Sequence, residues 1–222
     1  MKIKVLQDIL DSNETIARKN QRLLDEHGIL SINIMSSPGA GKTSLILQTI
    51  NRLKGKAGVA VIEGDVASSV DAEKIDKQGV AVVQINTGGG CHLDANMTEK
   101  ALNNLPLGDI DLLLIENVGN LICPAEFALV EQKRVMLLSL PEGDDKAYKY
   151  PLMFTGADGV LLNKIDLLPY LEFNISAFRE AVTGLNPDVN IFQVSCKTGQ
   201  GLEVWFSWLQ EQIKEMKSHH SS

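Results

Sequence analysis

The chain has 222 residues, of which 44% are hydrophobic and 22% charged, and its formal net charge is −7. This composition is enough for one compact domain of enzyme size, and the acidic balance argues against a general nucleic-acid or membrane-binding surface, which would need a basic face. Three cysteines are an odd number, so a disulfide framework is not expected, and without a signal pattern or an apolar stretch of transmembrane length we expect a cytoplasmic protein.

Residues 1–28 are predicted to form a helical extension rather than part of a sheet. Apolar side chains recur there at three- and four-residue spacing, and Gly28 offers a stop. Residues 29–217 are predicted to form the main domain and residues 218–222 a short tail.

A phosphate-binding loop follows the first apolar run, residues 29–35. The next residues read Ser-Ser-Pro-Gly-Ala-Gly-Lys-Thr and lead directly into a helical pattern. In that setting backbone N–H groups and a helix N-terminus face the phosphates, Lys42 neutralises their charge and Thr43 ligates Mg²⁺. Ser36 stands where the usual pattern has glycine. The predicted phosphate contacts are Gly39, Ala40, Gly41, Lys42, Thr43 and Ser44.

Further apolar runs alternate with helical patterns along the rest of the chain. They predict an α/β fold of the P-loop NTPase type, a mostly parallel sheet of about seven strands with helices on both faces. The predicted strands are residues 29–35, 57–63, 80–86, 110–116, 133–140, 159–163 and 190–195, and a last helix covers about 201–217.

Carboxylates stand at the ends of two of these strands. Asp65 follows the second strand and Glu116 ends the fourth. Because the carboxyl ends of parallel strands meet at the edge that carries the phosphate loop, we expect both residues, with Thr43, in the Mg²⁺ shell. Asp71 is a candidate for positioning the attacking water, although its surroundings also resemble an exposed helix start. The predicted catalytic residues are therefore Lys42, Asp65, Asp71 and Glu116.

Two loops at the same predicted edge carry cysteine and histidine. Cys91 and His92 follow three glycines, and Cys123 lies seven residues after Glu116. Two thiolates and one imidazole suit Ni²⁺ or Zn²⁺ and leave a coordination position open. The spacing fits equally well a pair of buried small cysteines and a histidine that caps a loop.

A guanine-binding sequence follows the sixth strand. Asn163-Lys164-Ile165-Asp166 places a carboxylate where it can accept both N1–H and the exocyclic amine of guanine, whereas adenine has an acceptor at N1 and no amine beside it. Together with the phosphate loop, this motif predicts GTP or GDP as the nucleotide and residues 29–217 as a GTPase domain. The residues predicted to contact the base are Asn163, Lys164, Asp166, Ser195, Cys196 and Lys197.

Taken together, these motifs resemble the HypB family of hydrogenase nickel-incorporation GTPases. The resemblance extends over nearly the whole chain and includes the Gly-Gly-Gly-Cys-His, Glu-Asn-Val-Gly-Asn-Leu-Ile-Cys-Pro and Pro-Glu-Gly-Asp-Asp-Lys segments. It implies a SIMIBI-class GTPase that forms a homodimer with GTP and delivers Ni²⁺ to the large subunit of [NiFe]-hydrogenase, with a HypA-type nickel protein as partner. It also implies that Cys91, His92 and Cys123 bind the metal near the dimer interface and that Lys149 reaches the nucleotide of the other subunit.

Two features set limits on that resemblance. Some members of the family begin with a nickel-binding cysteine motif or carry a histidine-rich stretch, and this sequence has neither.

Other GTPases share parts of the pattern: a urease-type nickel-insertion GTPase places Cys-Pro-His in one short motif, and a cobalamin-enzyme GTPase chaperone has no need of these thiolates. The separate Cys91-His92 and Cys123-Pro124 segments favour the hydrogenase type.

Overall fold

A computed structural model describes the backbone of residues 2–220 and the side chains of residues 10–218 and 220. Its strands form one seven-stranded sheet in which every neighbouring pair is parallel. The strands are β1 (Leu30–Ser36), β2 (Val59–Asp65), β3 (Ala81–Asn86), β4 (Leu112–Glu116), β5 (Lys133–Ser139), β6 (Gly159–Asn163) and β7 (Asn190–Gln193). Their spatial order is β3-β2-β4-β1-β5-β6-β7.

Helices cover both faces of this sheet. They are α1 (Lys2–Glu26), α2 (Lys42–Leu53), α3 (Val70–Asp76), α4 (Ala95–Leu102), α5 (Cys123–Glu126), α6 (Lys146–Lys149), α7 (Pro151–Thr155), α8 (Ile175–Leu185) and α9 (Leu202–His220). Short 3₁₀ turns occur at Leu107–Asp109, Leu140–Glu142 and Ile165–Tyr170. The predicted α/β class, the N-terminal helix and the mostly parallel sheet are confirmed, and each strand begins within two residues of its predicted start.

The register of the central strands aligns their carboxyl ends. Ile34 of β1 lies opposite Glu116 of β4, and Glu63 of β2 lies opposite the same Glu116. β1 therefore delivers the phosphate loop to a row of strand ends. This is the crevice at which open α/β sheets bind ligands.

Alternate residues of β4 enter different layers of the core. Leu112 and Leu114 pack in the cluster that includes apolar side chains of α2 and α9. Leu113 and Ile115 lie in the layer that includes Leu24 of α1. The near-continuous apolar sequence of β4 is expected for a strand covered on both faces.

The last helix is longer than its sequence pattern predicts. We expected it to end near residue 217 and to be followed by a tail, but α9 continues to His220. The His220 ring lies 3.3 Å from the position that a Cβ atom on Gly28 would occupy. The glycine that was predicted to end α1 thus leaves room for the final turn of α9. No helix in the described residues combines the length and apolarity needed to cross a bilayer.

The core contains one polar contact that can be tested directly. Trp205 is fully buried, and its indole N–H donates to Thr49 Oγ1 at 3.1 Å. Thr49→Val keeps the side-chain volume but leaves that N–H without its partner. We expect the free energy of unfolding, measured in urea, to fall by about 1–3 kcal/mol.

Thr183→Val is the matched control, because Thr183 Oγ1 donates to the carbonyl four residues earlier, as Thr49 Oγ1 donates to Leu45 O, but Thr183 is exposed. We expect a change of less than about 0.5 kcal/mol there. Equal losses in the two variants would contradict a specific role for the Trp205 contact.

Candidate functional site

The phosphate loop adopts the conformation that its glycines allow. Gly41 has φ 109° and directly precedes α2. A Cβ atom there would lie 2.5 Å from Asn163 Nδ2, so a side chain at this position would collide with the side chain at the end of β6. Lys42 Nζ donates to Ser36 Oγ at 3.0 Å. The residue that departs from the usual glycine pattern thus supplies a hydroxyl that holds the lysine.

Two buried glutamates face each other beside this loop. Glu63 and Glu116 occupy paired positions of β2 and β4, and both are almost fully buried. Thr43 Oγ1 donates to Glu116 Oε1 at 2.9 Å. Within the described chain, no hydrogen-bond donor reaches Oε2 of either glutamate. Buried carboxylate oxygens normally have partners, so these two atoms point to a missing ligand.

Burial controls the protonation of these groups. It raises the pKa of Glu63 to about 8, and the neighbouring Glu116 adds to the rise. It also raises the pKa of Glu116 to about 7, against the opposing effect of Lys42. For Lys42 itself, burial lowers the pKa and Glu116 opposes that shift. The cluster thus holds two carboxylates in a place that a cation would favour.

The residues present fit Mg²⁺. The hydroxyl of Thr43 and the free carboxylate oxygens of Glu63 and Glu116 are hard oxygen ligands of the kind this ion prefers. A cleft of about 530 Å³ opens beside them. Its walls include Gly39, Gly41, Lys42, Thr43, Ser44, Asp65, Asp71, Lys74 and Gly119.

The predicted acidic residues Asp65 and Asp71 line the same cleft but are already engaged. Asp65 Oδ1 accepts from the backbone N–H groups of Ala67 and Ser68 at 2.9 and 2.8 Å. These bonds lower the pKa of the Asp65 carboxyl. Asp71 Oδ1 pairs with Lys74 Nζ at 2.7 Å. Asp65 therefore shapes the loop after β2, and Asp71 is partly exposed at the entrance to α3.

The predicted base-binding residues converge at a second cleft, of about 410 Å³, on the other side of the phosphate loop. Ser195 Oγ donates to Asp166 Oδ1 at 2.6 Å, which orients that carboxylate. Burial raises the pKa of the Cys196 thiol to about 11. The lining residues are Gly41, Ser44, Asn163, Lys164, Asp166, Leu167, Cys196 and Lys197.

Asn163 joins the two nucleotide-binding loops. Its Nδ2 donates to Ala40 O at 2.9 Å, and its Oδ1 accepts from Cys196 N at 3.1 Å. Lys164 has φ 64° and donates from Nζ to Gly39 O at 2.8 Å. We predicted that both side chains would contact the base directly. In this structure each is bonded to the phosphate loop and holds the base pocket against it.

The three predicted metal ligands come together. The ligand atoms of Cys91, His92 and Cys123 lie within 4.8 Å of one another, and this is the one His/Cys/Asp/Glu cluster of that kind among the described residues. Cys91 Sγ is 2.9 Å from Cys123 Sγ and 3.4 Å from His92 Nδ1. Cys91 is exposed, and the other two are partly exposed. Cys91 and Cys123 are therefore not the buried, inert cysteines of the alternative interpretation.

Asn117 links the metal cluster to the nucleotide cleft. It directly follows Glu116, and its Oδ1 accepts from the backbone N–H groups of Leu93 and Val118 at 3.1 and 2.9 Å. Leu93 is the residue after His92. A single buried amide thus joins the end of β4 to the loop that carries two metal ligands.

Lys149 lies on α6, where it is exposed and forms an ion pair with Asp145. The start of its segment is tied to the phosphate loop, because Glu142 accepts a hydrogen bond from Ser37 Oγ. Its predicted contact with the nucleotide of another subunit stays a prediction.

Sequence reasoning missed Glu63 and Asn117. Glu63 was passed over in favour of Asp65, two residues further along the same strand. The available signal was its alternation with Asp65, which puts both residues on one face of β2. For Asn117, the signal was a polar residue directly after the buried strand β4.

Comparisons with known proteins place these features in context. Residues 30–193 match the family model described as CobW/HypB/UreG, nucleotide-binding domain. The chain is 45% identical over 210 residues to the hydrogenase maturation factor HypB of Escherichia coli strain K12, covering 95% of this chain and 72% of that protein. It is 42% identical over 215 residues to the probable hydrogenase maturation factor HypB of Methanocaldococcus jannaschii, covering 97% of each.

A solved structure agrees with these sequence relatives. The crystal structure of HypB from Helicobacter pylori in complex with nickel superposes with a TM-score of 0.87 at 39% identity. The match covers 92% of this chain and 96% of that one.

The raised pKa of Glu63 predicts a pH-dependent stability. Folding favours protonated Glu63, whose pKa rises from 4.5 to about 8, so ionising it costs stability as pH rises through that interval. Glu63→Gln, which stays neutral, should raise the melting temperature of the nucleotide-free protein. The gain should grow between about pH 4.5 and about pH 8 and level off above that range. Differential scanning calorimetry at several pH values measures it.

Asp65→Asn is the control with the opposite sign. The lowered pKa of Asp65 means that its carboxylate stabilises the fold above its usual pKa. The Asn variant should therefore melt lower at neutral pH. A gain in Glu63→Gln that did not vary with pH would exclude desolvation of the carboxylate as its source.

Proposed function

The chain belongs to the CobW/HypB/UreG family and, within it, to the HypB hydrogenase maturation factors, and from that premise we propose that it is a GTP-hydrolysing nickel metallochaperone for [NiFe]-hydrogenase. The observation that carries this proposal is the position of the Cys91-His92-Cys123 cluster at the sheet edge that also holds the nucleotide cleft. Asn117 joins the two places.

GTP would lie across the phosphate loop, with its base against Asp166 and its phosphates at the N-terminus of α2. Lys42 would leave Ser36 to pair with the outer phosphate oxygens. Thr43 and Glu116 would hold Mg²⁺, which neutralises phosphate charge during hydrolysis. The free oxygen of Glu63 adds a candidate ligand that the sequence did not assign. Asp65 shapes the neighbouring loop and stays a candidate for the Mg²⁺ shell, and Asp71 stays a candidate for orienting the attacking water.

The metal would be cargo rather than a permanent part of the fold. Cys91, His92 and Cys123 supply two soft sulfur ligands and one imidazole, a set suited to Ni²⁺ or Zn²⁺. Three ligands leave a coordination position open for a partner or a water molecule. An exposed, three-ligand cluster suits a metal that must be passed on.

Nucleotide state would affect the metal through the end of β4. A cation bound to Glu116 would offset the repulsion between the carboxylates of Glu63 and Glu116. It would also fix the turn that begins at Asn117. Because Asn117 holds Leu93, a change in this turn moves the loop of Cys91 and His92. Linkage requires that metal binding alter nucleotide affinity by the same factor.

A GTP-dependent homodimer, a HypA-type nickel protein and the hydrogenase large subunit are the proposed partners. Tyr148 and Leu152 are 71% and 62% exposed beside Lys149. This apolar surface supports a second copy of the chain as the partner at that edge, with Lys149 of each copy directed to the nucleotide of the other.

Changing Asp166 tests the identity of the base. A carboxylate accepts two hydrogen bonds from guanine, whereas an Asn side chain offers one acceptor and one donor. The donor matches the carbonyl that xanthine carries in place of the guanine amine. Asp166→Asn should therefore bind GTP at least about 100-fold more weakly and gain affinity for XTP. Calorimetric titration with GTP, XTP and ATP measures this, and unchanged preference for GTP would contradict the base assignment.

Metal binding in the two nucleotide states tests the coupling. Cys91→Ser should weaken Ni²⁺ binding. Binding is measured under reducing conditions by the thiolate-to-metal charge-transfer absorption. In the wild type, the Ni²⁺ affinity should differ between the GDP form and the form with a non-hydrolysable GTP analogue.

Cys196→Ser, measured without nucleotide, is the control variant, because this buried thiol lies outside the metal cluster. It should bind Ni²⁺ like the wild type. Equal Ni²⁺ affinities in the two nucleotide states would end the proposed coupling. Wild-type binding in Cys91→Ser would exclude the cluster as the metal site.

A further inference from the structure

Helix α1 buries polar side chains against the sheet layer. Its inward face carries Asn13, Ala17, Asn20 and Leu24, and Asn13 and Asn20 are only 9% and 2% exposed. A helix that packs on a core normally buries apolar side chains. Buried amides are tolerated where they meet specific hydrogen-bond partners. The partners of these two asparagines therefore indicate what the helix does.

Asn13 joins two segments next to the proposed metal ligands: the start of α4, just after Cys91 and His92, and the segment after α5, the short helix that Cys123 begins. Its Nδ2 donates to Ala128 O at 2.7 Å, and its Oδ1 accepts from Ala95 N at 2.9 Å. Ala95 lies three residues after His92, and Ala128 lies five residues after Cys123. One side chain from the N-terminal helix thus connects segments that are 33 residues apart.

Side chains of the two segments also touch at the ligands themselves. Cys91 Sγ approaches Cys123 Sγ at 2.9 Å. The His92 ring stacks on Phe127 with 4.0 Å between centroids. Neither contact fixes the distance between the two backbones, because both are made by side chains of exposed or partly exposed residues. The amide of Asn13 bonds to backbone atoms of both segments and, with the bond from Leu93 N to Asn117, limits that distance.

We propose that Asn13 is a positioning residue for the metal site, clamping the segment after His92 to the segment after Cys123 so that helix α1, together with Asn117, sets the separation of the ligands. The inference rests on the proposed function, in which these three residues bind the metal. Groups that orient metal ligands typically affect affinity by 10- to 100-fold when removed. Asn13 lies further from the metal ligands than such groups do, but it bonds to both of the segments that carry the ligands.

Asn20 provides a matched control on the same face of α1. Its Nδ2 donates to Ala95 O at 2.8 Å, so it contacts only the loop that follows His92. Asn20 is at least as buried as Asn13 and lies seven residues, about two helical turns, further along. Loss of either amide leaves a buried backbone group without a partner, but only loss of Asn13 removes a bond to the segment after Cys123.

The experiment compares Asn13→Leu with Asn20→Leu in the full-length chain without nucleotide. Each leucine keeps most of the side-chain volume and makes no hydrogen bond. Co²⁺ is titrated under reducing conditions, and its d–d absorption reports coordination geometry as well as affinity. Asn13→Leu should bind Co²⁺ about 10-fold more weakly or worse, with an altered d–d spectrum. Asn20→Leu should stay within about threefold of the wild type, with an unchanged spectrum.

Circular dichroism melting and GDP binding establish that each variant is folded. If Asn13→Leu melts below the assay temperature, Asn13→Ser replaces it, since the short hydroxyl cannot reach both loops and disturbs the packing less. Equal effects of the Asn13 and Asn20 variants, or a wild-type spectrum and affinity in the Asn13 variant, would overturn the clamp.

The two proposals fail in distinguishable ways. If the wild type itself binds no Co²⁺, or binds it equally well after Cys91→Ser, the metallochaperone function is refuted. If the wild type binds Co²⁺ through Cys91 and the Asn13 variant matches it, only the clamp is refuted.

Discussion

The parallel register of β1, β4 and β2 is the constraint on which the site depends. It sets Glu116 opposite Ile34 on one side and opposite Glu63 on the other, so two carboxylates are buried side by side next to the phosphate loop. Lys42 is a single counter-charge for both, and it is itself held in a place that disfavours its charge. Like charges at this distance raise each other's pKa. The protein alone therefore leaves an excess of negative charge that a divalent cation would offset.

The sequence predicted much of this arrangement, because the strongest signals are local. The phosphate loop and Asn163-Lys164-Ile165-Asp166 are contiguous, and the strands are apolar runs bounded by polar residues, so their positions follow from neighbours in the chain. Glu63 was missed because the choice between it and Asp65 depends on register. Both lie on the same face of β2, and only the pairing with Glu116 decides which carboxylate enters the cluster.

The buried asparagines show a second limit of sequence reasoning. Asparagine is usually found at the surface. Nothing nearby in the sequence reveals the distant partners of Asn13, Asn117 and Asn163. Asn13 meets Ala128, 115 residues away, and Asn163 meets Ala40, 123 residues away. Each partner is a backbone group, which is available at every position and leaves no trace in the sequence. Such contacts become visible only when the fold brings distant loops together.

The two halves of the site differ in how they are built, and this difference bears on their work. The groups around the phosphates stand on strand ends and at the start of α2, and such elements hold catalytic geometry more firmly than loops do. Cys91 and His92 stand on a loop and Cys123 begins the short helix α5, and these segments are held together by a few amide contacts, notably those of Asn13 and Asn117. A segment held by few buried contacts opens at low energetic cost. In the proposed function, a nucleotide that must be positioned for hydrolysis needs the first construction, and a metal that must be released needs the second. Because Asn117 lies between them along one sheet edge, a change at the phosphate loop would reach the cysteines and the histidine through the bond from Leu93 N to Asn117.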